Sequence, residues 1–397
     1  MMRTNWNTGI DYGFSMIRKM MWILGVWPLQ QNSLVCTFRW IMIFIVESLT
    51  FINVLIESFK SCGDVKDALE VFLIIETLLH AWTNTIFMRI YMKKIVININ
   101  SAINDWSCSS MRKESYLIMI AYARAGRIVT LFQFLLGFLS AVLYFTSIIV
   151  GNKQQVIIID NSTVVLWNFV FPSTCLFKGI SYSTYKILFV MQIVQAFIIF
   201  IAECANDSFF FAITMHLCGQ LELLKARFVE LGRKIEKKNH CRNVLGPWIR
   251  RHYQLIILAR NIEDAFNINI LIRLSITTIV IAISGMHIIM SVRHNNYTDV
   301  IKSIIFIQYF ILQSFLFTHA GDTLQNQSES IISAIYSITW HKLSSTTMKD
   351  LLFIMMRTKI PLQLSAGKFF YITRSTITNI LRTALTYISF LQVTIKN

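Results

Sequence analysis

The chain has 397 residues, 55% of them hydrophobic, and a formal charge of +16. A soluble chain of that length divides into domains of about 150 residues joined by polar linkers; this one shows no such linker, and apolar runs of helical length recur from end to end. The surplus of Lys and Arg invites a nucleic-acid reading, but those residues cluster in alternate loops, which excludes nucleic acid as the expected partner.

A bilayer-spanning helix takes roughly 20 mostly apolar residues. Seven segments qualify, at about 40–58, 68–92, 128–150, 186–212, 268–292, 300–320 and 376–395. The expected fold class is therefore all-α, a polytopic membrane protein in which residues 1–397 form one seven-helix domain. All four prolines (Pro28, Pro172, Pro247, Pro361) fall outside these segments, as uninterrupted helices require. A β-barrel would alternate apolar and polar residues, whereas 128–150 is apolar on all sides. Residues 20–29 are too few to cross and are expected at the membrane surface. The N-terminus lacks the compact apolar run and small-residue cleavage site of a secretory signal.

Twenty-six Lys and Arg fall in the N-terminal tail and the second, fourth and sixth loops, and six on the opposite side. Basic residues stay on the cytoplasmic side. The N-terminus is therefore expected inside and, after seven spans, the C-terminus outside. Sequons at Asn161 and Asn296 fall in expected outer loops and are candidate glycosylation sites. Those at Asn206 and Asn326 fall in a span and an inner loop, where they should stay bare. Cys62 and Cys175 lie in outer loops; they either form a disulfide, as the oxidising exterior allows, or stay as two free thiols. The third loop carries VIIIDNSTVVLWNFVFP, polar enough to sit outside and apolar enough to fold back over the bundle. In the fourth loop Leu217, Leu221, Leu224, Phe228, Leu231 and Ile235 recur at three and four, the helical period. The sixth loop repeats the pattern. Segments 213–267 and 321–375 are expected to pack as helical cytoplasmic pieces.

Catalysis finds little footing. A G-protein-coupled receptor would be oriented the other way, and its Asp-Arg-Tyr and Asn-Pro-x-x-Tyr motifs are missing, so no G protein is expected. A seven-span zinc hydrolase, the alternative of another class, needs several His at one depth. Here His80 lies near mid-span, His287 in an outer half and His319 at an inner end. No metal, cofactor or enzymatic activity is expected. Glu203 and Asp207 stand four apart in span four, where charge is costly. They are expected to bond to neighbouring helices; a cation-attracting vestibule is the functional alternative.

From Leu324 the sequence runs LQNQSESIISAIYSITW, with Leu324, Ser328, Ile331, Ala334, Tyr336 and Trp340 in fixed spacing. This resembles the insect odorant receptor pattern. DSFFFAITMHLCGQLELL, RRHYQLIILARNIEDAF and GVWP extend the likeness over nearly the whole chain. The resemblance implies an odorant-tuned subunit of a ligand-gated, nonselective cation channel. It implies a hetero-tetramer with a shared co-receptor, a pore lined by the final helix (376–395), a small and mostly apolar odorant, and the plasma membrane of an olfactory sensory neuron dendrite. The usual cysteine near the end of span six is Thr318, and the closing motif is Thr386-Tyr387 rather than Ser-Tyr. Gustatory receptors, the nearest alternative, end on a Thr-Tyr motif with a spacing that fails here by one.

Ligand pockets are concave and mostly apolar, with a few polar groups. In this topology the outer halves of spans two to six enclose such a space. The candidates are Phe72 and Ile75 on span two, Tyr144 and Phe145 on span three, Met191, Gln192 and Gln195 on span four, His287 on span five, and Gln308 and Tyr309 on span six. On the last span Tyr387, Phe390 and Thr394 share one helix face. The resemblance places the pore constriction at Phe390 and Thr394, where a ring of apolar side chains can stop ions by dewetting. Alternatively this face packs on a neighbouring helix.

Overall fold

Lipid offers a peptide backbone no hydrogen-bond partner, so a chain this apolar closes its backbone bonds within helices. The structure, a computed structural model, describes residues 8–60, 65–107, 113–150, 155–159, 162–167, 169–174, 176–235, 242–338 and 343–396. In order these form α1 (Thr8–Ile23), a 3-10 turn (Pro28–Gln30), α2 (Leu34–Lys60), α3 (Val65–Ile90), α4 (Met92–Ser107) and α5 (Lys113–Val150). Then come β1 (Gln155–Ile159), β2 (Ser162–Leu166), α6 (Tyr182–Ile235), α7 (Arg242–Arg293) and α8 (Tyr297–Tyr336). The chain closes with α9 (Ser345–Thr358), β3 (Ser365–Ala366), β4 (Phe370–Tyr371) and α10 (Arg374–Lys396). Asn161, Cys62, Cys175, Trp340 and the side chain of Thr394 lie outside the described residues.

Among the described residues six helices are long and apolar enough to cross a membrane: α2, α3, α5, α6, α7 and α8. The seventh expected span is helical as α10, but Asn379, Arg382 and a run of Thr and Ser make it too polar to qualify by composition. The long helices outrun a bilayer. At about 1.5 Å per residue the 54 residues of α6 reach roughly 80 Å, more than twice the ~30 Å of hydrocarbon.

The surplus length gathers at the end of the bundle that carries the basic loops. There α1, α4 and α9 pack against the extensions of α5 to α8 around one apolar core that includes Phe209, Phe210, Phe228, Phe266, Phe317 and Leu255. The surface position expected for 20–29 is corrected in part: Met20, Met21, Leu24, Val26 and Trp27 are buried in this core. The reason lies just upstream, where Ile10, Phe14, Ile17 and Met21 recur at three and four and give α1 an apolar face. Helix α4 does the same with Ile95, Ile99, Ala102, Ile103 and Trp106.

Two small hairpins interrupt the helices. β1 and β2 pair antiparallel, from Gln155 opposite Leu166 to Ile159 opposite Ser162; their β-branched runs favour strand over loop. β3 and β4 join α9 to α10. The Ser344 hydroxyl caps α9 by accepting the Thr347 N–H at 3.3 Å. The hairpin is held to α7 by the Gly367 N–H, which donates to the Asn267 carbonyl at 2.8 Å. It is pressed to α8 at Gly321, where a Cβ would stand 2.9 Å from the Ile372 carbonyl oxygen.

Candidate functional site

At the end opposite the basic one the apolar core breaks into three small clusters. The first gathers Val54, Leu78, Ala81, Val170, Phe171 and Ile199, with Ile75, Tyr144, Phe145 and Phe189 half-buried against it. The Tyr144 hydroxyl donates to the Val170 carbonyl at 2.9 Å. Gln192 accepts the Phe171 N–H at 3.0 Å and donates to the Ser173 hydroxyl at 3.1 Å. The segment after β2 is thereby tied over the ends of α5 and α6 that lie away from the basic end. The third cluster covers it further: the Trp167 ring stacks on Tyr185 with centroids 4.6 Å apart, and Phe169 packs beside them. The Leu176 N–H donates to Glu57 at 3.1 Å and fastens the same segment to α2.

The second cluster, Leu73, Ile276, Val280 and Phe310, sits between α3, α7 and α8, with Phe306 and Tyr309 half-buried against it. His287 joins α7 to α8 through the Ser303 hydroxyl at 2.8 Å. Of the candidate ligand residues, the structure brings Ile75, Tyr144, Phe145 and Gln192 together and sets Tyr309 in the neighbouring cluster. Gln195 is half-buried on α6, while Phe72, Met191 and Gln308 face outward. The sequence reading missed Phe171 and Trp167; their signal was the aromatic run WNFVF in an otherwise polar loop.

Beneath these clusters a polar knot crosses the bundle. Arg273 of α7, fully buried, donates to Asp207 of α6 at 2.6 Å and stands 3.8 Å from Glu203. Glu203 also meets His80 Nδ1 at 3.2 Å and accepts from the Tyr309 hydroxyl at 3.3 Å. Asn84 lies 3.3 Å from the same His80 nitrogen and accepts from Asn206 at 2.9 Å. At a similar level Gln133 of α5 donates to Gln313 of α8 at 3.0 Å and accepts from Ser208 at 3.1 Å. The expectation that Glu203 and Asp207 bond to neighbouring helices therefore holds, and Arg273 is the partner. A lone Arg inside an apolar segment is a signal for such a pair. Not every atom is served: His80 Nε2, Asn206 Oδ1, Asp207 Oδ1, and Arg273 Nε and Nη1 are buried without a hydrogen-bond partner among the described residues. Each unserved atom costs about 1–3 kcal/mol when dry.

Helix α10 packs by a narrow stripe. Thr376, Ile380 and Ala384 are buried at intervals of four. One turn on, Ile388 closes on α7 at Gly285, where a Cβ would stand 2.5 Å from the Ile388 Cδ1. Tyr387 and Phe390 turn the other way, 50% and 68% exposed. A cavity of about 490 Å³ lies at the basic end under the β3–β4 hairpin, away from the candidate ligand residues. Arg260, Asp264, Lys368 and Phe369 line it, and Ser365 crosses it to donate to Glu263 at 2.8 Å. Among the described residues no three His, Cys, Asp or Glu side chains converge as metal ligands would.

A family model described as 7tm Odorant receptor matches residues 64–385. The chain is 24% identical to Odorant receptor 2a of Drosophila melanogaster over 209 residues, 50% of this chain and 52% of that one. It is 25% identical to the Odorant receptor coreceptor of Ooceraea biroi over 146 residues, 37% of this chain and 30% of that one. The match to Odorant receptor 2a thus spans about half of that relative's length. The fold is shared with the insect olfactory receptor OR5 from Machilis hrabei, solved in complex with eugenol: TM-score 0.78, 14% identity, 96% of this chain and 100% of that one.

Proposed function

This chain belongs to the odorant receptor family, and on that premise we propose that it is an odorant-tuned subunit of a ligand-gated, nonselective cation channel. The observation that carries the reading is the family match over residues 64–385. A fold shared along 96% of the chain with an olfactory receptor supports it. Family membership leaves the zinc-hydrolase alternative without support. Seven crossings are proposed, with the N-terminus in the cytoplasm, the C-terminus outside and the basic end inside. The uneven distribution of Lys and Arg supports that orientation.

The proposed channel assembles from several subunits, including a co-receptor, with α10 at the pore. The polarity of α10 supports this placement, because a helix facing water needs polar side chains that a lipid-facing helix cannot carry. Phe390 is proposed as the constriction, with Tyr387 and Thr394 on the same face. The proposed ligand is a small, mostly apolar volatile or cuticular compound. Its proposed site is the pair of outer clusters under the segment after β2, with Ile75, Tyr144, Phe145, Gln192, Gln195, His287 and Tyr309 as the residues that meet it. The plasma membrane of an olfactory sensory neuron dendrite is the proposed location. The test is co-expression with a co-receptor in cells that lack both. A broad panel of volatiles should evoke a cation current with a ranking that the co-receptor alone does not show. A surface-expressed assembly that stays silent across that panel removes the reading.

A further inference from the structure

The polar knot holds five buried atoms that no side chain or backbone group satisfies among the described residues: His80 Nε2, Asn206 Oδ1, Asp207 Oδ1, and Arg273 Nε and Nη1. They belong to one connected network. Asn206 bonds to Asn84, Asn84 to His80, His80 to Glu203, and Glu203 lies beside Arg273, which bonds to Asp207. The contact between Arg273 and Asp207 uses one prong only. Nη2 reaches Oδ2 at 2.6 Å, while the second carboxylate oxygen and the two other guanidinium nitrogens of the same pair are buried without a partner among the described residues. The unserved set mixes donors and acceptors. A cation would satisfy the oxygens and be repelled by the guanidinium; an anion would satisfy the guanidinium and be repelled by the carboxylates. A small neutral molecule that both donates and accepts satisfies the whole set, and a buried water typically makes about three such bonds.

We infer that the knot is an internal water site at the middle of the bundle, with bound water bridging Arg273 and Asp207 and reaching His80. The site joins α6 and α7 through bonds that can be remade as the helices shift, while the direct salt bridge keeps them together. It stands independently of the odorant reading.

Cysteine placement supplies the test. Cys204 lies three residues before Asp207, so the two are neighbours on α6, and it is 1% exposed. Cys218, fourteen residues further along the same helix and 0% exposed, is buried in the same apolar core but roughly 21 Å along the axis from Cys204, away from the knot. Radiolysis of the intact purified receptor generates hydroxyl radicals from bound as well as bulk water. The site predicts that Cys204 is oxidised several-fold faster than Cys218, while a membrane-permeant maleimide leaves both unreacted. Equal oxidation of the two thiols overturns the site. So does maleimide labelling of Cys204 at the same relative rate, because that shows opening to bulk solvent. A density map that resolves ordered water should show peaks within hydrogen-bond distance of Arg273 Nη1 and Asp207 Oδ1. Such a map with Arg273 and Asp207 paired by both prongs and no peak between them also overturns it.

Discussion

The same three helices, α6, α7 and α8, run through both ends of the molecule, yet the two ends are built differently. At the basic end they enclose one continuous apolar core, completed by α1, α4 and α9. At the opposite end the apolar side chains fall into three small clusters; the segment after β2, tied down by Gln192 and Tyr144, packs on the first and forms part of the third. Secondary structure does not make the difference; side-chain packing does. A continuous core resists change because its neighbours cannot collapse into a cavity. Small clusters under a tethered segment can yield around a guest, which suits the ligand site proposed there.

The sharpest break in that comparison lies at the boundary between the ends. Arg273→Met leaves Asp207 and Glu203 without their guanidinium, and removing one member of a buried pair costs about 3–5 kcal/mol. Surface labelling and thermal unfolding should both show the loss; near-normal unfolding would mean that the knot does not bind the two ends. Next comes a matched pair of truncations. Phe228→Ala in the continuous core should cost about 3–5 kcal/mol. Phe171→Ala in the first outer cluster should cost about 3 kcal/mol, the low end of that range, and should reorder odorant ranking. Equal costs would erase the distinction.

Phe390→Ser should raise basal current several-fold at normal surface expression, with little change in odorant ranking, because α10 takes no part in the outer clusters. Unchanged basal current and permeation would take Phe390 out of the gate. Gln192→Ala leaves the Phe171 N–H unpaired, a loss of about 1–3 kcal/mol. If that loss falls on ligand binding, dose-response curves shift by roughly tenfold for each 1.4 kcal/mol. The smallest effect is expected at the surface. Asn296→Gln should abolish a glycan mass shift and change stability by less than about 0.5 kcal/mol, while Asn326→Gln alters neither. A glycan on Asn326 would invert the proposed orientation.

Six of the helices that cross by composition were legible in the sequence, because long apolar runs need no context. α10 was placed as a helix, but its polarity shows why composition alone does not make it a span. α1 and α4 were harder: each is too short to cross, and only its tertiary partners show that its apolar face enters the core. The outer site was half legible. Membership of a span could be read for Phe72, Met191 and Gln308, but their direction could not. The first half of α6, unlike its extension after residue 213, is apolar on all sides and offers no periodic stripe to orient its side chains. Arg273 was visible as a basic residue inside a span, while its partner Asp207 lies 66 positions earlier and was beyond any local pattern.

Helix α7 grips the α10 region near both of its ends. The Asn267 carbonyl holds the hairpin that leads into α10, and Gly285 lets Ile388 close to van der Waals contact near the far end. Arg273 lies between those two grips, so a tilt of α7 about the knot would act as a lever. At about 1.5 Å per residue Gly285 stands roughly 18 Å from Arg273, and a tilt of roughly 5° carries it about 1.6 Å. With a glycine on the α7 side, only the Ile388 side chain stands between the two backbones at the point of contact. A small rotation of α7 near the outer clusters would reach, through this contact, the helix that carries Phe390.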